Sequence, residues 1–137
     1  MTITKIETGT EHLLAENNDG VAVLTLNRPE ARNAMSGEMN AALQKVLADA
    51  ELDHEIKCIV LTGAGKGFCA GGDVKSFYEE KLTNINKLRK NFFYREYKLN
   101  YLIKKYKKPI ISFVNGICMG GGVGIAMHSS IVIVSEN

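Results

Sequence analysis

Two glycine-rich runs carry most of the chemistry this sequence offers: Gly63-Ala-Gly-Lys-Gly-Phe-Cys-Ala-Gly-Gly-Asp73 and Asn115-Gly-Ile-Cys-Met-Gly-Gly-Gly-Val-Gly124. Such runs have three readings. One is a phosphate cradle, but a Walker A loop needs GxxxxGK[ST]. Here Lys66 is followed by Gly67, and no lysine lies near Gly120 to Gly124. The dinucleotide pattern GxGxxG also fails, because its last glycine would fall on Phe68 or Ile125. A second reading is structural: glycine allows tight turns and positive φ. The third is an oxyanion hole, in which backbone N–H groups point where negative charge develops on a carbonyl oxygen. Backbone donors do not titrate, and glycine lets a substrate come close. A glycine turn that opens a helix adds free first-turn N–H groups and the positive end of the helix dipole. One donor from each run would make a two-point clamp, worth roughly 3 kcal/mol per donor.

Side chains near these runs offer little else. Cys69 and Cys118 flank them, but a catalytic thiol needs an adjacent base, and no histidine is placed in sequence to serve. Both read as small packing residues. His12, His54 and His128 show no ligand spacing, and the three cysteines form no CxxC, so no metal site is expected.

The elements that must position the two runs alternate between β and α. Val21–Leu26, Cys58–Thr62, Ile110–Val114 and Ile131–Val134 are short β-branched apolar runs bounded by turn residues. Ser36 suits a helix N-cap, with Met39, Leu43, Val46, Leu47 and Ala50 following at helical spacing. A second helical pattern runs from about Asn84 to Tyr106 through Leu88, Phe92, Phe93, Tyr97, Tyr101 and Leu102, ended by Pro109. Phe77, Tyr78, Phe92, Phe93, Tyr94 and Tyr97 read as packing residues, some of which could instead line a substrate pocket. A short helix over Ile125 to His128 follows the second glycine run. This pattern predicts an α/β fold of parallel strands covered by helices. Ligands of such sheets sit beyond the carboxyl ends of the strands, where both glycine runs fall. With no further helix after the fourth strand, the chain reads as a single domain (residues 1–137) that stops short at its C-terminal end.

Composition narrows the function classes. The 137 residues have a formal net charge of +2, too small an excess to suggest nucleic acid. No apolar run approaches a membrane span, and the acidic first twenty residues do not resemble a signal peptide. Three cysteines suit reduced thiols and a cytoplasmic setting.

With those residues in view, a family resemblance emerges. Phe68-Cys-Ala-Gly-Gly-Asp73 resembles the FxAGxD signature of the crotonase (enoyl-CoA hydratase/isomerase) superfamily, and Val114-Asn-Gly-Ile-Cys-Met-Gly-Gly-Gly122 its xxGxxxGGG partner. Leu26-Asn-Arg-Pro-Glu-Ala-Arg-Asn-Ala34 resembles its NRPxxxNA turn, and Lys108-Pro109-Ile110 its KPxI lead-in. The resemblance implies the N-terminal portion of a crotonase-like ββα spiral that binds an acyl-CoA, with coenzyme A as part of the substrate and no other cofactor. It implies hole donors at Gly72 and Gly121. The backbone of Ala70 to Asp73 and of Glu30, Ala31 and Arg32 would line the CoA channel. Arg32 could reach a phosphate, and Asp73 would cap a helix. Gly71, Gly120, Gly122 and Gly124 would sit against the substrate, and the parent protein could form homo-oligomers.

Hydratases of this family carry a glutamate where this chain has Gly124. Met119-Gly-Gly-Gly-Val-Gly124 instead resembles the family's 3-hydroxyisobutyryl-CoA hydrolase branch, as does Arg95-Glu96-Tyr97 with Leu99-Asn100. That branch implies a substrate contact for Glu96, with the catalytic carboxylates falling beyond Asn137. The implied activity is acyl-CoA thioester hydrolysis by the full-length parent, as in valine catabolism, the fragment alone being inactive. An enoyl-CoA hydratase or isomerase, or a non-catalytic CoA-binding subunit, stays open.

Overall fold

In the computed structural model, which describes residues 2–73, 75, 78, 86 and 93–136, alternating burial builds one large sheet. In β3 (Val21–Leu26) Ala22, Leu24 and Leu26 are buried, while the residues between them are half-buried. β4 (Cys58–Gly63) repeats this with Ile59 and Leu61, and β6 (Ile110–Val114) with Ile110, Ser112 and Val114. Together with β8 (Ile131–Val134) these strands pair in parallel, in the order β3-β4-β6-β8. They are the four strands the sequence predicts.

The sheet is not wholly parallel, however. β1 (Ile3–Ile6) and β2 (Leu13–Asn18) extend it by antiparallel pairing to β1-β2-β3-β4-β6-β8. The β2–β3 hairpin turns on Asp19 and Gly20, with φ of 51° and 96°. Two successive positive φ values match the twist of a two-residue hairpin. The Gly20 N–H donates to Asn17 Oδ1 at 2.9 Å.

Helix α1 (Gly37–Leu52) covers the buried face of this sheet with Met39, Leu43, Val46, Leu47 and Ala50. Ser36 caps it, as predicted: its Oγ accepts from the Met39 N–H at 3.2 Å. Helix α2 (Tyr94–Lys104) buries Leu99 and Ile103 and packs against α1 and against α3 (Gly121–Met127). Most of the predicted helix before Tyr94, including Leu88 and Phe92, lies outside the described residues, as does Phe77. At its other end the helix stops at Lys104, so Tyr106 lies beyond it and donates its hydroxyl to the Leu47 carbonyl at 2.6 Å. Tyr78, Phe93, Tyr94 and Tyr97 are exposed and stay out of the core, although the Phe93 and Tyr97 rings stack on each other with centroids 6.3 Å apart. The buried stripe of α2 is Leu99 and Ile103, leaving the tyrosines on its outer side. Among the described residues no helix is long and apolar enough to cross a membrane.

Candidate active site

The two glycine runs meet because each contains a short strand. β5 (Gly67–Cys69) and β7 (Ile117–Cys118) pair in parallel, Gly67 opposite Ile117 and Cys69 opposite Cys118. The Met119 N–H donates to the Cys69 carbonyl at 3.0 Å. Asn115 ties the strand ends behind them: its Nδ2 donates to the Gly63 carbonyl at 2.8 Å, and its Oδ1 accepts from the Gly63 N–H at 3.3 Å.

A third segment closes on this pair. Met35 bridges Gly72, its N–H donating to the Gly71 carbonyl at 2.7 Å while its carbonyl accepts from the Asp73 N–H at 3.0 Å. In a parallel bridge of this pattern the N–H of Gly72 faces away from Met35. It faces the second run: a side chain on Gly121 would lie 3.6 Å from the Gly72 nitrogen, and one on Gly71 would lie 3.4 Å from the Gly121 nitrogen. Gly71 at φ 107° and Gly120 at φ 50° supply the left-handed backbone that bends both runs here. Among the described residues, no hydrogen bond engages the N–H of Gly72 or of Gly121.

Glu96 of α2 completes the arrangement. Its Oε1 stands 2.7 Å from where a Gly121 side chain would begin. Burial raises its carboxyl pKa above the ordinary 4.5. Neither Lys98 nor Lys104 pairs with it. Gly72, Gly121 and Glu96 line one pocket of about 40 Å³, with Met35, Leu99 and Ile125 as apolar walls. By the same measure one water needs roughly 10–15 Å³, so the pocket admits a small group rather than a single solvent molecule. Ser36, Gly37 and Asn40 at the start of α1, and Arg95 of α2, complete the lining; the sequence marked Ser36 only as a cap and Arg95 only as a neighbour of Glu96.

The other predicted residues divide. Gly122 is a packing residue: its N–H donates to the Met119 carbonyl at 2.8 Å, and a side chain there would collide with Cys69 backbone. The Gly124 N–H donates to the Gly120 carbonyl at 3.3 Å, and a side chain at 124 would meet the Asn100 amide. The Ala70 N–H is engaged by the Arg32 carbonyl at 3.0 Å. Glu30 and Arg32 are exposed in a turn beside Ala31, Arg32 in left-handed backbone at φ 53°. The predicted cap at Asp73 concerns a segment outside the described residues. Asp73 also forms an ion pair, its Oδ2 accepting from Arg28 Nη1 at 2.9 Å. Cys69 is buried and its thiol is pushed up to about 11, chiefly by desolvation, as befits a packing residue.

Sequence reading missed Asn33 as a scaffold. It is fully buried at φ 57°; its Nδ2 donates to the Ala64 and Gly67 carbonyls, both at 2.9 Å, and its Oδ1 accepts from the Arg28 N–H at 2.7 Å. It thereby fastens the Arg28–Ala34 turn to the first glycine run.

Comparison with known proteins settles the lineage. The family model described as enoyl-CoA hydratase/isomerase matches residues 21–137. The chain belongs to that family. Among relatives of this crotonase-family chain is 3-hydroxyisobutyryl-CoA hydrolase 1 of Arabidopsis thaliana, 40% identical over 125 residues, covering 91% of this chain and 33% of the relative. Small ribosomal subunit protein mS47 of Schizosaccharomyces pombe is 36% identical over 129 residues, covering 91% of this chain and 29% of that protein. Among solved structures, a carnitinyl-CoA dehydratase from Mycobacterium thermoresistibile superposes with a TM-score of 0.86 at 40% identity, covering 91% of this chain and 37% of that one. The crotonase-like fold is therefore shared, and the chain spans about a third of the length of such relatives.

Proposed function

We propose that this chain supplies the carbonyl-polarising half of an acyl-CoA thioester hydrolase. The observation that carries the reading is the juxtaposition of two unengaged N–H groups, at Gly72 and Gly121, on one small pocket with the Glu96 carboxylate. A thioester carbonyl oxygen lying between the two N–H groups accepts from both. As a nucleophile adds, the oxygen gains charge and both hydrogen bonds strengthen, each contributing roughly 3 kcal/mol to the barrier reduction. With water as that nucleophile, collapse of the tetrahedral intermediate breaks the C–S bond and expels the thiolate of coenzyme A, and the water oxygen stays on the acyl group, which leaves as a carboxylic acid. The nucleophile's activating carboxylates lie outside this chain in this reading, so the activity is that of a longer parent. In this reading the turn at Glu30, Ala31 and Arg32 and the segment Ala70–Asp73, joined by the Ala70 N–H to the Arg32 carbonyl, take the CoA moiety. The exposed Arg32 guanidinium is available to a phosphate.

The hydrolase reading is favoured over hydration by Gly124, which offers no acid or base, and by the names of the hydrolase relatives. Hydratase and dehydratase names among the solved structures keep double-bond chemistry as the second reading. The ribosomal relative keeps a third, a non-catalytic assembly role. Thiol release from 3-hydroxyisobutyryl-CoA by the product of the full reading frame tests all three, with crotonyl-CoA hydration followed in parallel. Free thiol without hydration supports hydrolysis. Hydration without thiol overturns it, and acyl-CoA binding without either reaction leaves the assembly role.

A further inference from the structure

Helix α2 turns two polar side chains toward α3, one turn apart. Glu96 and Asn100, four residues apart, share a face of α2, and Gly121 and Gly124, three apart, share a face of α3. Glu96 lies over Gly121, and Asn100 lies over Gly124: a side chain at 124 would begin 2.8 Å from Asn100 Nδ2 and 3.1 Å from its Oδ1. The first layer of this seam is the pocket lined by Gly72, Gly121 and Glu96. The Asn100 layer comes next, beside the pocket-lining Leu99 and Ile125. Asn100 Oδ1 is fully buried, and no group donates to it. Buried acceptors are nearly always paired. One left open next to a ligand pocket suits a donor carried by the ligand. Of the donors an acyl chain can carry, a hydroxyl enters a buried site far more readily than an ammonium, whose charge must be desolvated.

We propose that Asn100 is a specificity-determining residue whose Oδ1 accepts a hydrogen bond from a hydroxyl on the acyl group. This rests on the reading that Gly72 and Gly121 hold the thioester carbonyl. The test is calorimetric titration of the full reading-frame product with carba analogues, in which CH2 replaces the thioester sulfur. The analogues of 3-hydroxyisobutyryl-CoA and isobutyryl-CoA differ only in the hydroxyl. Wild type is expected to favour the hydroxylated analogue by roughly 10- to 100-fold. Asn100→Leu keeps the volume over Gly124 without the acceptor, and Asn100→Ala removes both. Each is expected to bring the two affinities to within about three-fold, mainly by weakening the hydroxylated ligand. Equal affinities in wild type overturn the proposal, as do variants that weaken both ligands alike. Thiol release is assayed separately: its absence with the discrimination intact would remove the hydrolase reading and leave the Asn100 assignment standing.

Discussion

Gly121→Ala separates a hole from a mere turn. The added methyl would begin 2.7 Å from Glu96 Oε1 and 3.6 Å from the Gly72 nitrogen. The first contact is too short, but it is with the free end of a flexible side chain, which can swing aside. The φ of Gly121 is not left-handed, so alanine fits its backbone. The stability change is therefore expected to stay within about 0.5 kcal/mol. The methyl nevertheless stands over the Gly72 N–H, where the carbonyl oxygen would go. Loss of one such donor costs roughly 100- to 1,000-fold in turnover, about 2.7–4 kcal/mol. Gly122→Ala is the control: its methyl meets the Cys69 backbone carbonyl and Cβ, neither of which can move alone. Overpacking of that kind costs about 1–3 kcal/mol or more in stability. Denaturant midpoints and thiol-release kinetics, measured on both variants in the full reading-frame product, read the two effects apart. The same Gly121→Ala change in a Glu96→Ala background shows whether displaced Glu96 causes the loss. Turnover in Gly121→Ala within about three-fold of wild type would refute the hole, because an occluded donor pair cannot leave the barrier unchanged.

Asn33→Leu should destabilise the fold by roughly 3 kcal/mol or more, since two buried carbonyls and the Arg28 N–H lose their partner and a left-handed residue becomes branched; urea unfolding checks this. Arg28→Met removes a partly buried ion pair to Asp73 and should cost about 1–2 kcal/mol, between surface and buried cases, a loss that shrinks at high salt if charge rather than packing holds the turn. Glu96 has a raised folded pKa, so its ionisation opposes folding: the folded state holds the proton more tightly, and stability tied to the neutral form is present below 4.5 and lost as pH rises through the higher folded value. Glu96→Gln should therefore raise the melting temperature more at pH 7 than at pH 4. An equal rise at both values would show that ionisation is not the cause.

Much of this architecture was legible because it rests on local rules. Val21–Leu26, Ile110–Val114 and Ile131–Val134 are apolar runs that parallel strands require, and Ser36 before Met39 is a cap with a mechanism. β1 and β2 were not legible. β1 is mostly exposed, and β2 ends in Glu16-Asn17-Asn18, so neither shows the alternation of a half-buried strand. Asn18-Asp19-Gly20 marks the turn before Val21, but the polar end of β2 gives no sign that a second strand precedes it. The site divides in the same way. Gly72, Gly121 and Glu96 could be named because the family resemblance of the segments around them implies roles for those positions. Asn33, Arg95 and Asn100 lie inside the same family-like segments, but what each touches is remote in sequence, so the segments gave no sign of those contacts.

That division has a physical source in how α2 and α3 share the pocket. The hole-side face of α3 is glycine at 121 and 124, and each glycine is matched by a polar side chain of α2, not by a side chain of its own helix. Backbone N–H groups need bare Cα atoms beside them, or the carbonyl cannot approach. Recognition of the acyl group must then come from a neighbouring element. α2 is held in place by Leu99 and Ile103 in the core and by Gln44, whose Nε2 donates to the Arg95 carbonyl at 3.3 Å. A change on α2 should therefore alter which acyl group is taken while leaving carbonyl polarisation intact, and a change at Gly72 or Gly121 should do the reverse. Substrate profiles of Asn100 variants set beside those of Gly121→Ala would expose the two roles as separable, whereas a uniform loss across all thioesters in both sets would mean that the helices act as one rigid support.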